Sequence, residues 1–275
     1  VKSTRINNLF EADDSGGFRA DTITGSVVAL AFDFPAGYEV APHRHRRAQL
    51  VFAAGGVVTA TSRAGSWVLP TARALWVPPG VEHSLRMTGA VRLRTVYFEP
   101  AAIDSPLARS EVLSVSGLLR ELVLRAVEVG PVLRNGSPAD ASSALVDLLI
   151  EEILSAQREP HEALRLPDGR DSRLRRLTDG LRADPADPST LSEWGSRVGA
   201  SERTLARLFL AETSLTFGRW RQQLRLQRAL ELLAAGRSVS RVAGEVGYES
   251  LSAFITMFHR ATGYTPSSYF GGSGR

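Results

Sequence analysis

The last hundred or so residues of this chain contain an internal repeat, and the repeat constrains the fold more than any other feature. Leu191, Trp194, Val198 and Gly199 match Val239, Val242, Val246 and Gly247, and after one inserted residue Ser201, Leu205, Leu208 and Phe209 match Ser250, Phe254, Met257 and Phe258. Each copy predicts an apolar-faced helix, a glycine at its end, a capping serine and a second amphipathic helix. We therefore expect two helix-turn-helix motifs, at about residues 190–211 and 238–261, in an all-α domain.

The second helix of the first copy has an outward face that its packing leaves free. Leu205, Leu208 and Phe209 take the inward side. Thr190-Leu-Ser-Glu193 forms a capping box that starts the preceding helix. Arg203, Ala206 and Arg207 then face outward at the i, i+3, i+4 spacing of one helix face. Guanidinium groups there suit guanine edges or phosphates, although exposed arginines are also often simply solvated. The repeat favours contact with DNA, because it provides the frame that such a helix needs.

The second copy presents a different outward face. Its inward positions are Phe254, Met257 and Phe258. The outward residues are Leu251, Ser252, Ile255, Thr256 and His259. This face suits thymine methyl groups and phosphates but offers no bidentate base reader. Arg260, in the last turn, is expected to meet a phosphate or the C-terminal carbonyl groups of its own helix.

One long helix is expected to join the two copies. Its apolar pattern runs from Phe217 to Ala235 and stops at Gly236, which gives a length of roughly 28 Å at about 1.5 Å per residue. This is close to the ~34 Å between major-groove faces one turn apart. The polar side carries four arginines suited to tracking a phosphate backbone or to ordinary solvation: Arg219, Arg221, Arg225 and Arg228.

Charge is divided unevenly along the chain. Residues 1–170 hold 18 basic and 19 acidic residues, a net −1, whereas residues 171–275 hold 15 and 10, a net +5. A basic segment suits contact with a polyanion, and a solvated surface would also account for it. All basic residues except Lys2 are arginines, which favours planar contacts with phosphate and guanine.

Residues from about 171 to 270 resemble the DNA-binding domain of the AraC/XylS family of transcription regulators. Three motifs carry the resemblance: Ser201-Glu-Arg-Thr-Leu-Ala-Arg-Leu-Phe209, Val242-Ala-Gly-Glu-Val-Gly-Tyr-Glu-Ser250, and Phe258-His-Arg-Ala-Thr-Gly-Tyr-Thr-Pro266 with Tyr269. The resemblance implies a transcription regulator whose base-facing positions agree with the outward faces above. The expected DNA contacts are Ser201, Arg203, Ala206, Arg207, Leu251, Ser252, Thr256 and Arg260.

The front of the chain predicts many short strands separated by turn signals such as Gly55-Gly56 and Pro78-Pro79-Gly80. These strands are Val27–Phe34, Ala48–Ala53, Val57–Ser62, Ser66–Leu69, Ala74–Val77 and Val91–Phe98. Such spacing is typical of a β-sandwich or barrel. Together with the rear helices, it predicts an α+β chain of two domains.

Two helices are expected after the strands. The first is marked by Leu118, Leu119, Leu122 and Ala126, and the second by Leu145, Leu148, Leu149 and Ile153. The second helix either pairs with its copy in another chain or buries these side chains within its own domain. We expect a sensor domain of residues 1–157, a linker of 158–170 and a DNA-binding domain of 171–275.

Three of the five histidines fall within the strand-rich segment. His43 and His45 alternate along a predicted strand, so that both imidazoles share one face while Arg44 and Arg46 take the other. Gln49 follows, and Pro78-Pro79-Gly80-Val81-Glu82-His83 adds a third histidine from a distant strand. The spacing resembles the two motifs of the cupin barrel, which implies a jelly-roll barrel with a ligand site inside. His161 and His259 have no such neighbours and are interpreted as ordinary residues.

Three interpretations of His43, His45, Gln49 and His83 stay open. The imidazoles suit one transition-metal ion, namely Zn, Ni, Fe(II) or Cu, and the absence of cysteine from the chain excludes thiolate ligands. The same side chains suit hydrogen-bonded structural residues without a metal, or the wall of a cavity for an organic effector. The sequence departs from the cupin motifs twice, because Gln49 replaces the usual Glu and Met87 the usual Asn.

We do not expect an enzyme. Some cupins are dioxygenases or isomerases, but no further acid, base or nucleophile has support here, and Glu82 would point away from the face of His83. A cupin enzyme with a DNA-binding tail is therefore less favoured than a regulator controlled by a small molecule, or by a metal bound at the histidines.

The expected partners follow from this interpretation. They are a double-stranded DNA operator and a small-molecule or metal effector, with RNA polymerase and a second copy of the chain as further candidates. A membrane partner is not expected, because apolar stretches such as Val27–Phe32 are much shorter than the ~20 residues of a membrane span. The cytoplasm is the expected location.

Overall fold

The computed structural model describes residues 19–103, 108–134, 142–156 and 165–271. Residues 158–164 of the expected linker, with His161, lie outside these ranges. Two compact units are present, one made of the chain up to Arg63 and of Leu69–Glu162, the other of Ala64–Val68 and the chain from Ala163 onward. The first is rich in strands and carries two helices, and the second is mainly helical, so the predicted fold class is confirmed.

The first unit is built on an antiparallel sheet. The strands of the described residues are β1 Val27–Phe34, β2 Glu39–His43, β3 Ala48–Ser62, β4 Gly65–Leu69, β5 Arg73–Val77, β6 His83–Phe98, β7 Glu111–Ser114, β8 Val132–Arg134 and β9 Arg165–Leu166. Of these, β9 and all of β4 except Leu69 fall in the second unit. Short 3-10 turns cover Arg19–Thr22 and Pro100–Ala102. The main strand order is β7-β5-β3-β6-β1-β8, and β2 also pairs with β6. The bounds of β1 are those predicted. A strand was predicted at His43–His45, and β2 begins and ends earlier than this, whereas β7, β8 and β9 were not predicted.

The central pair of strands, β3 and β6, is longer than predicted. Gly55-Gly56, interpreted from sequence as a turn between two strands, is an irregularity within β3 where the register with β6 shifts. Gly56 has a φ of +79°, and a Cβ there would lie 2.5 Å from the carbonyl oxygen of Ala90, so the bulge requires glycine. Since the pairing continues past the bulge, β6 begins at His83, opposite His43 of β2.

Two helices cover part of this sheet: α1 Gly117–Val129 and α2 Ser143–Ala156. Leu149 and Ile153 of α2 are fully buried in the same core as Leu119 of α1 and Trp76 of β5. Of the two alternatives for the second helix, burial of these side chains within the chain's own unit is the one observed. Leu148, on the other side of α2, is 47% exposed.

The second unit contains seven helices among its described residues. They are α3 Ser172–Ala183, α4 Leu191–Val198, α5 Glu202–Thr213, α6 Phe217–Ala234, α7 Val239–Glu245, α8 Leu251–Thr262 and α9 Pro266–Gly271. Their core includes Leu205 and Phe209 of α5 and Trp220 of α6, whose indole Nε1 donates a hydrogen bond to the carbonyl of Pro167 at 2.9 Å. The predicted joining helix is α6. None of the helices in the described part of the chain is both long and apolar enough to cross a membrane.

Candidate functional site

The structure brings the three predicted histidines together. His43 ends β2 and His83 begins β6, and the two are paired residues of neighbouring strands. His45 lies in the loop after β2, since the strand ends two residues earlier than the sequence suggested. One ring nitrogen from each histidine lies within 4.8 Å of the others. The three side chains thus form one cluster, with His45 and His83 buried and His43 partly buried.

Backbone carbonyl groups orient all three imidazoles in the same way. The Nδ1 atoms lie at hydrogen-bond distance from carbonyl oxygens two residues away: His43 from Ala41 at 2.9 Å, His45 from Arg47 at 2.5 Å and His83 from Val81 at 3.0 Å. A carbonyl oxygen only accepts, so each Nδ1 carries the hydrogen and donates it. In a neutral ring, Nε2 is then left with a free electron pair, as in most histidines that bind metals.

Burial keeps these rings neutral. Loss of solvation lowers the pKa of His43 to about 4 and that of His83 to about 3, and the two neighbouring imidazoles lower the pKa of His83 further. The pKa of His45 is also lowered, again chiefly by burial, with partial opposition from its hydrogen bond to the Arg47 carbonyl. At neutral pH the cluster therefore presents uncharged imidazoles, the form that coordinates transition metals.

Gln49 lies beside this cluster, as predicted from the motif. Its Oε1 is 3.0 Å from Nε2 of His45 and 3.1 Å from Nε2 of His83. Its Nε2 donates to the hydroxyl oxygens of Thr95 and Tyr97, both at 2.9 Å, and all three side chains are fully buried. The sequence did not point to Thr95 or Tyr97, because they come from a strand that only the sheet pairing places opposite Gln49.

Arg47 is a second residue of this region that sequence reasoning missed. Its guanidinium is buried and bonds to Glu99 at 2.8 Å and to the carbonyl oxygens of Ile23 and Gly25. Its own carbonyl accepts from His45. The alternation that turns Arg44 and Arg46 outward continues to Arg47 and could have indicated its inward position.

The first helix-turn-helix motif has the predicted frame. Thr190 and Glu193 form the capping box of α4, and Gly199 ends this helix with a φ of 74°. Ser201 caps α5 by accepting a hydrogen bond from the backbone of Thr204 at 3.1 Å. A Cβ on Gly195 would lie 2.4 Å from the carbonyl oxygen of Ala200, so α4 closes tightly against the turn.

The outward face of α5 carries two arginines that have no partner among the described residues. Arg203 and Arg207 are exposed and Ala206 is half-buried, while Leu205 and Phe209 are fully buried. Within the residues that the structure describes, neither guanidinium makes an ion pair or a hydrogen bond. The predicted face is therefore present, and its two cations are available to an external group.

The second motif has the same frame with an uncharged face. Ser250 caps α8 by accepting from the backbone of Ala253 at 3.2 Å, and the inward aromatic residues are buried. Leu251 is 43% exposed, and Ser252 and Thr256 are exposed beside it. Arg260, in the last turn, is exposed too.

The arginines of α6 are mostly engaged inside the unit, contrary to a role in tracking a phosphate backbone. Arg221 donates to the carbonyl of Ser189 at 3.0 Å, and Arg228 pairs with Glu231 at 3.1 Å. Arg225 donates to the carbonyl oxygens of Pro185 and Gly247, which ties the segment before α4 to the turn of the second motif. Arg219 is exposed. Among the described residues, its guanidinium group forms no ion pair or hydrogen bond.

Comparison with known proteins supports both halves of this picture. Residues 26–166 match the family model described as "AraC-like ligand binding domain", and residues 194–271 match the one described as "Helix-turn-helix domain". The HTH-type transcriptional regulator RipA of Corynebacterium diphtheriae is 40% identical over 95 residues, which cover 34% of this chain and 28% of RipA. A solved structure of ToxT from Vibrio cholerae covers 90% of this chain and 98% of its own, at 10% identity and a TM-score of 0.38.

A longer match extends over both units. The HTH-type transcriptional regulator NimR of Escherichia coli (strain K12) is 36% identical over 245 residues, which cover 88% of this chain and 87% of NimR. These relatives are named as transcription regulators, in agreement with the expectation that the chain is not an enzyme. The chain belongs to the AraC family of helix-turn-helix transcription regulators.

Proposed function

We propose that this regulator recognises a specific operator through the outward faces of α5 and α8. The observation that carries the proposal is the pair of exposed arginines, Arg203 and Arg207, which have no partner among the described residues on the second helix of a helix-turn-helix frame. Guanidinium groups in this position form bidentate hydrogen bonds to guanine O6 and N7. The DNA contacts of the proposal are Ser201, Arg203, Ala206, Arg207, Leu251, Ser252, Thr256 and Arg260.

The joining helix supports binding to two successive segments of the major groove. The 18 residues of α6 span about 27 Å. The separation of groove faces one turn apart is about 34 Å. Ser201 caps its own helix, and its place at the N-terminus of α5 suits a nearby phosphate. Arg260 suits a phosphate at the other end of α8.

The front unit is proposed to sense an effector through the histidine cluster. A ligand that binds one arrangement of the sensor better than another shifts the population of DNA-bound protein by its difference in affinity. The proposal includes a sensor of residues 1–157, a linker of 158–170 and a DNA-binding domain of 171–275. A second copy of the chain and RNA polymerase are its proposed protein partners, and the cytoplasm its place of action.

Selection from random DNA tests operator recognition. The purified full chain is incubated with a pool of random-sequence duplexes, and bound DNA is amplified and sequenced over several rounds. We expect enrichment of one sequence that contains guanine within the segment bound by α5. A pool that stays random after selection, at a salt concentration where bulk DNA no longer binds, would contradict the proposal.

A metal is the second candidate effector, and the donor set of the cluster favours it. Three neutral imidazoles offer ring nitrogens within 4.8 Å of one another, and Oε1 of Gln49 lies beside two of them, which suits a divalent transition-metal ion. Bound there, such an ion would act as the sensed signal. Elemental analysis of the full chain after incubation with Zn²⁺ and desalting should show about one ion per chain in the native protein, and far less in His45→Ala. Equal metal content in both would place the binding elsewhere.

A further inference from the structure

One arginine of the joining helix links the two helix-turn-helix motifs. Arg225, on α6, donates from Nε to the carbonyl of Pro185 at 2.9 Å and from Nη1 to the carbonyl of Gly247 at 3.1 Å. Pro185 lies in the segment that leads into α4, the first helix of the first motif, and Gly247 lies in the turn between α7 and α8 of the second. A single guanidinium group therefore holds the entry of one motif and the turn of the other.

The turn of the second motif fits closely around this guanidinium group. Gly247 has a φ of +79°, and a Cβ there would lie 2.8 Å from Nη2 of Arg225 and 2.8 Å from Cα of Ala186. The guanidinium carbon lies 5.6 Å from the centre of the Tyr248 ring, and this ring lies 5.7 Å from that of Phe254, a buried residue of α8. Contacts thus run from the segment before α4, through Arg225, to the helix that carries the second outward face.

Both carbonyl partners of Arg225 are backbone groups, which makes the link sensitive to the path of the chain. A side-chain partner can follow a moving arginine by changing its rotamer, whereas a carbonyl moves only with its segment. Burial, with the charge of nearby Arg221, lowers the pKa of Arg225. A guanidinium group that stays charged after losing water depends on its remaining hydrogen-bond acceptors. A change in the angle between the motifs would therefore lengthen at least one of two hydrogen bonds that the arginine needs.

The distance between two recognition helices has to match the DNA helix. Successive base pairs are separated by about 3.4 Å along the axis and by a rotation of roughly 35°, since one turn of about 10 base pairs spans about 34 Å. Moving one recognised segment by a single base pair therefore turns its major-groove edge away from a helix that cannot follow. A rigid frame accepts one separation, and a frame that can bend accepts several.

We propose that Arg225 sets the spacing of the operator by fixing the outward faces of α5 and α8 relative to each other. It is a positioning residue for recognition, because it acts through the segment before α4 and the turn before α8 rather than by touching DNA. The inference rests on the proposed operator recognition and adds a length requirement, namely one accepted number of base pairs between the two recognised segments. Arg228, also on α6, pairs within the same helix, with Glu231, and provides the matched control.

Selection of operators by the full chain tests this role of Arg225. Duplexes with a random stretch long enough to cover two turns of DNA are presented to the native protein, to Arg225→Lys and to Arg228→Lys. Lysine keeps the charge, but its single nitrogen does not reproduce the planar fork that reaches two carbonyl groups. We expect the native protein and Arg228→Lys to select two segments at one fixed spacing, and Arg225→Lys to select the same two segments at several spacings.

Titration with the selected operator, and with duplexes whose spacer is one base pair longer or shorter, measures the size of the effect. Hydrogen bonds of a charged group contribute roughly a factor of ten or more each, so the native preference for the correct spacing, about tenfold or more, should fall to about threefold or less in Arg225→Lys. A purely structural loss would instead weaken binding to all three duplexes by the same factor. Circular dichroism establishes that each variant is folded. If Arg225→Lys is not, Tyr248→Leu, which removes the ring beside the guanidinium group, should relax the spacing in the same direction.

The outcomes separate the inference from the proposed function. A single spacing selected by Arg225→Lys, or an equal loss of affinity on all three duplexes, would overturn the role of Arg225 while leaving operator recognition in place. A selected site with only one recognised segment, or equal native affinity at all three spacings, would overturn the length requirement itself. A native protein that selects no sequence would contradict the proposed function, and the spacing requirement with it.

Discussion

The two helix-turn-helix motifs have the same frame and present opposite kinds of surface. Ser201 and Ser250 cap the second helices alike, and buried residues hold each helix in the same way. The outward face of α5 carries two arginines, whereas that of α8 begins with an exposed leucine and two hydroxyl groups. Inward residues therefore determine the frame, and outward residues determine what each motif can recognise. We therefore expect guanine to be recognised by the first motif, and thymine methyl groups by the second.

The frames differ at one point, the turn. The first turn is one residue shorter, and Gly195 lies against it so closely that a side chain would meet the Ala200 carbonyl at 2.4 Å. The matching position in the second motif is Ala243, which is buried without being glycine. The second turn has one extra residue after Gly247, and it accommodates the Cβ of Ala243 where the first turn accommodates only glycine.

The largest expected effect comes from the double variant Arg203→Ala, Arg207→Ala. A bidentate contact to guanine contributes about 1–3 kcal/mol of discrimination, so loss of two should reduce affinity for the selected operator by roughly a hundredfold or more. Titration with labelled operator and with random DNA, both at fixed salt, measures this loss. The sensor should stay folded.

Arg219→Ala is the matched control, because this arginine is also exposed but lies on α6. It should weaken binding to operator and random DNA by similar factors. If the double variant also loses affinity for operator and for random DNA by the same factor, Arg203 and Arg207 contact phosphates only. The two motifs would then differ in charge rather than in base recognition.

A smaller effect is expected from the turn. Gly195→Ala should destabilise the chain by about 1–3 kcal/mol, since the backbone carbonyl it meets must shift. Gly244→Ala, in the matching helix α7, should be neutral or stabilising by up to about 1 kcal/mol, because its Cβ would meet nothing within 4 Å and alanine favours helix. Thermal or urea unfolding of both variants measures the change in the free energy of unfolding. The same sign for both would show that the two turns are equally tolerant.

The smallest effect is expected for Leu251→Ala. An exposed leucine that contacts a thymine methyl contributes at most about 1 kcal/mol, or roughly a fivefold change in affinity. Because no charge is lost, the slope of log affinity against log salt should not change. The test compares the operator with a duplex in which uracil replaces thymine in the α8 segment. If Leu251→Ala lowers the affinity for both duplexes equally, Leu251 does not contact a thymine methyl group.

Local sequence patterns predicted most of the helices and several strands, but not the pairing and register of strands that lie far apart in the sequence. The apolar run Val27–Phe34 and the apolar faces of α5 and α8 depend on neighbouring residues, so sequence alone was sufficient. The strand predicted at His43–His45 was placed too late in the chain, because only Val40 of the five residues of β2 is buried and marks its true extent. The turn predicted at Gly55-Gly56 was wrong, since glycine serves equally in turns and in bulges.

The candidate sites show the same division. The four cluster residues were predicted from spacing, whereas the orientation of Gln49 depends on Thr95 and Tyr97, which lie far away in sequence. The outward arginines were predicted from helix periodicity. That Arg221 and Arg225 are engaged by backbone carbonyls, and Arg203 is not, follows only from three-dimensional packing.

The separation of inward and outward positions in the two motifs has a consequence for how such a regulator changes over generations. Residues that present a face to DNA contribute little to the core, so their replacement leaves the free energy of unfolding nearly unchanged. A new operator preference can thus arise by single substitutions in one motif while the other continues to hold the protein on its site. Because the motif is present twice, the outward residues of one copy can be substituted while the other copy still binds DNA.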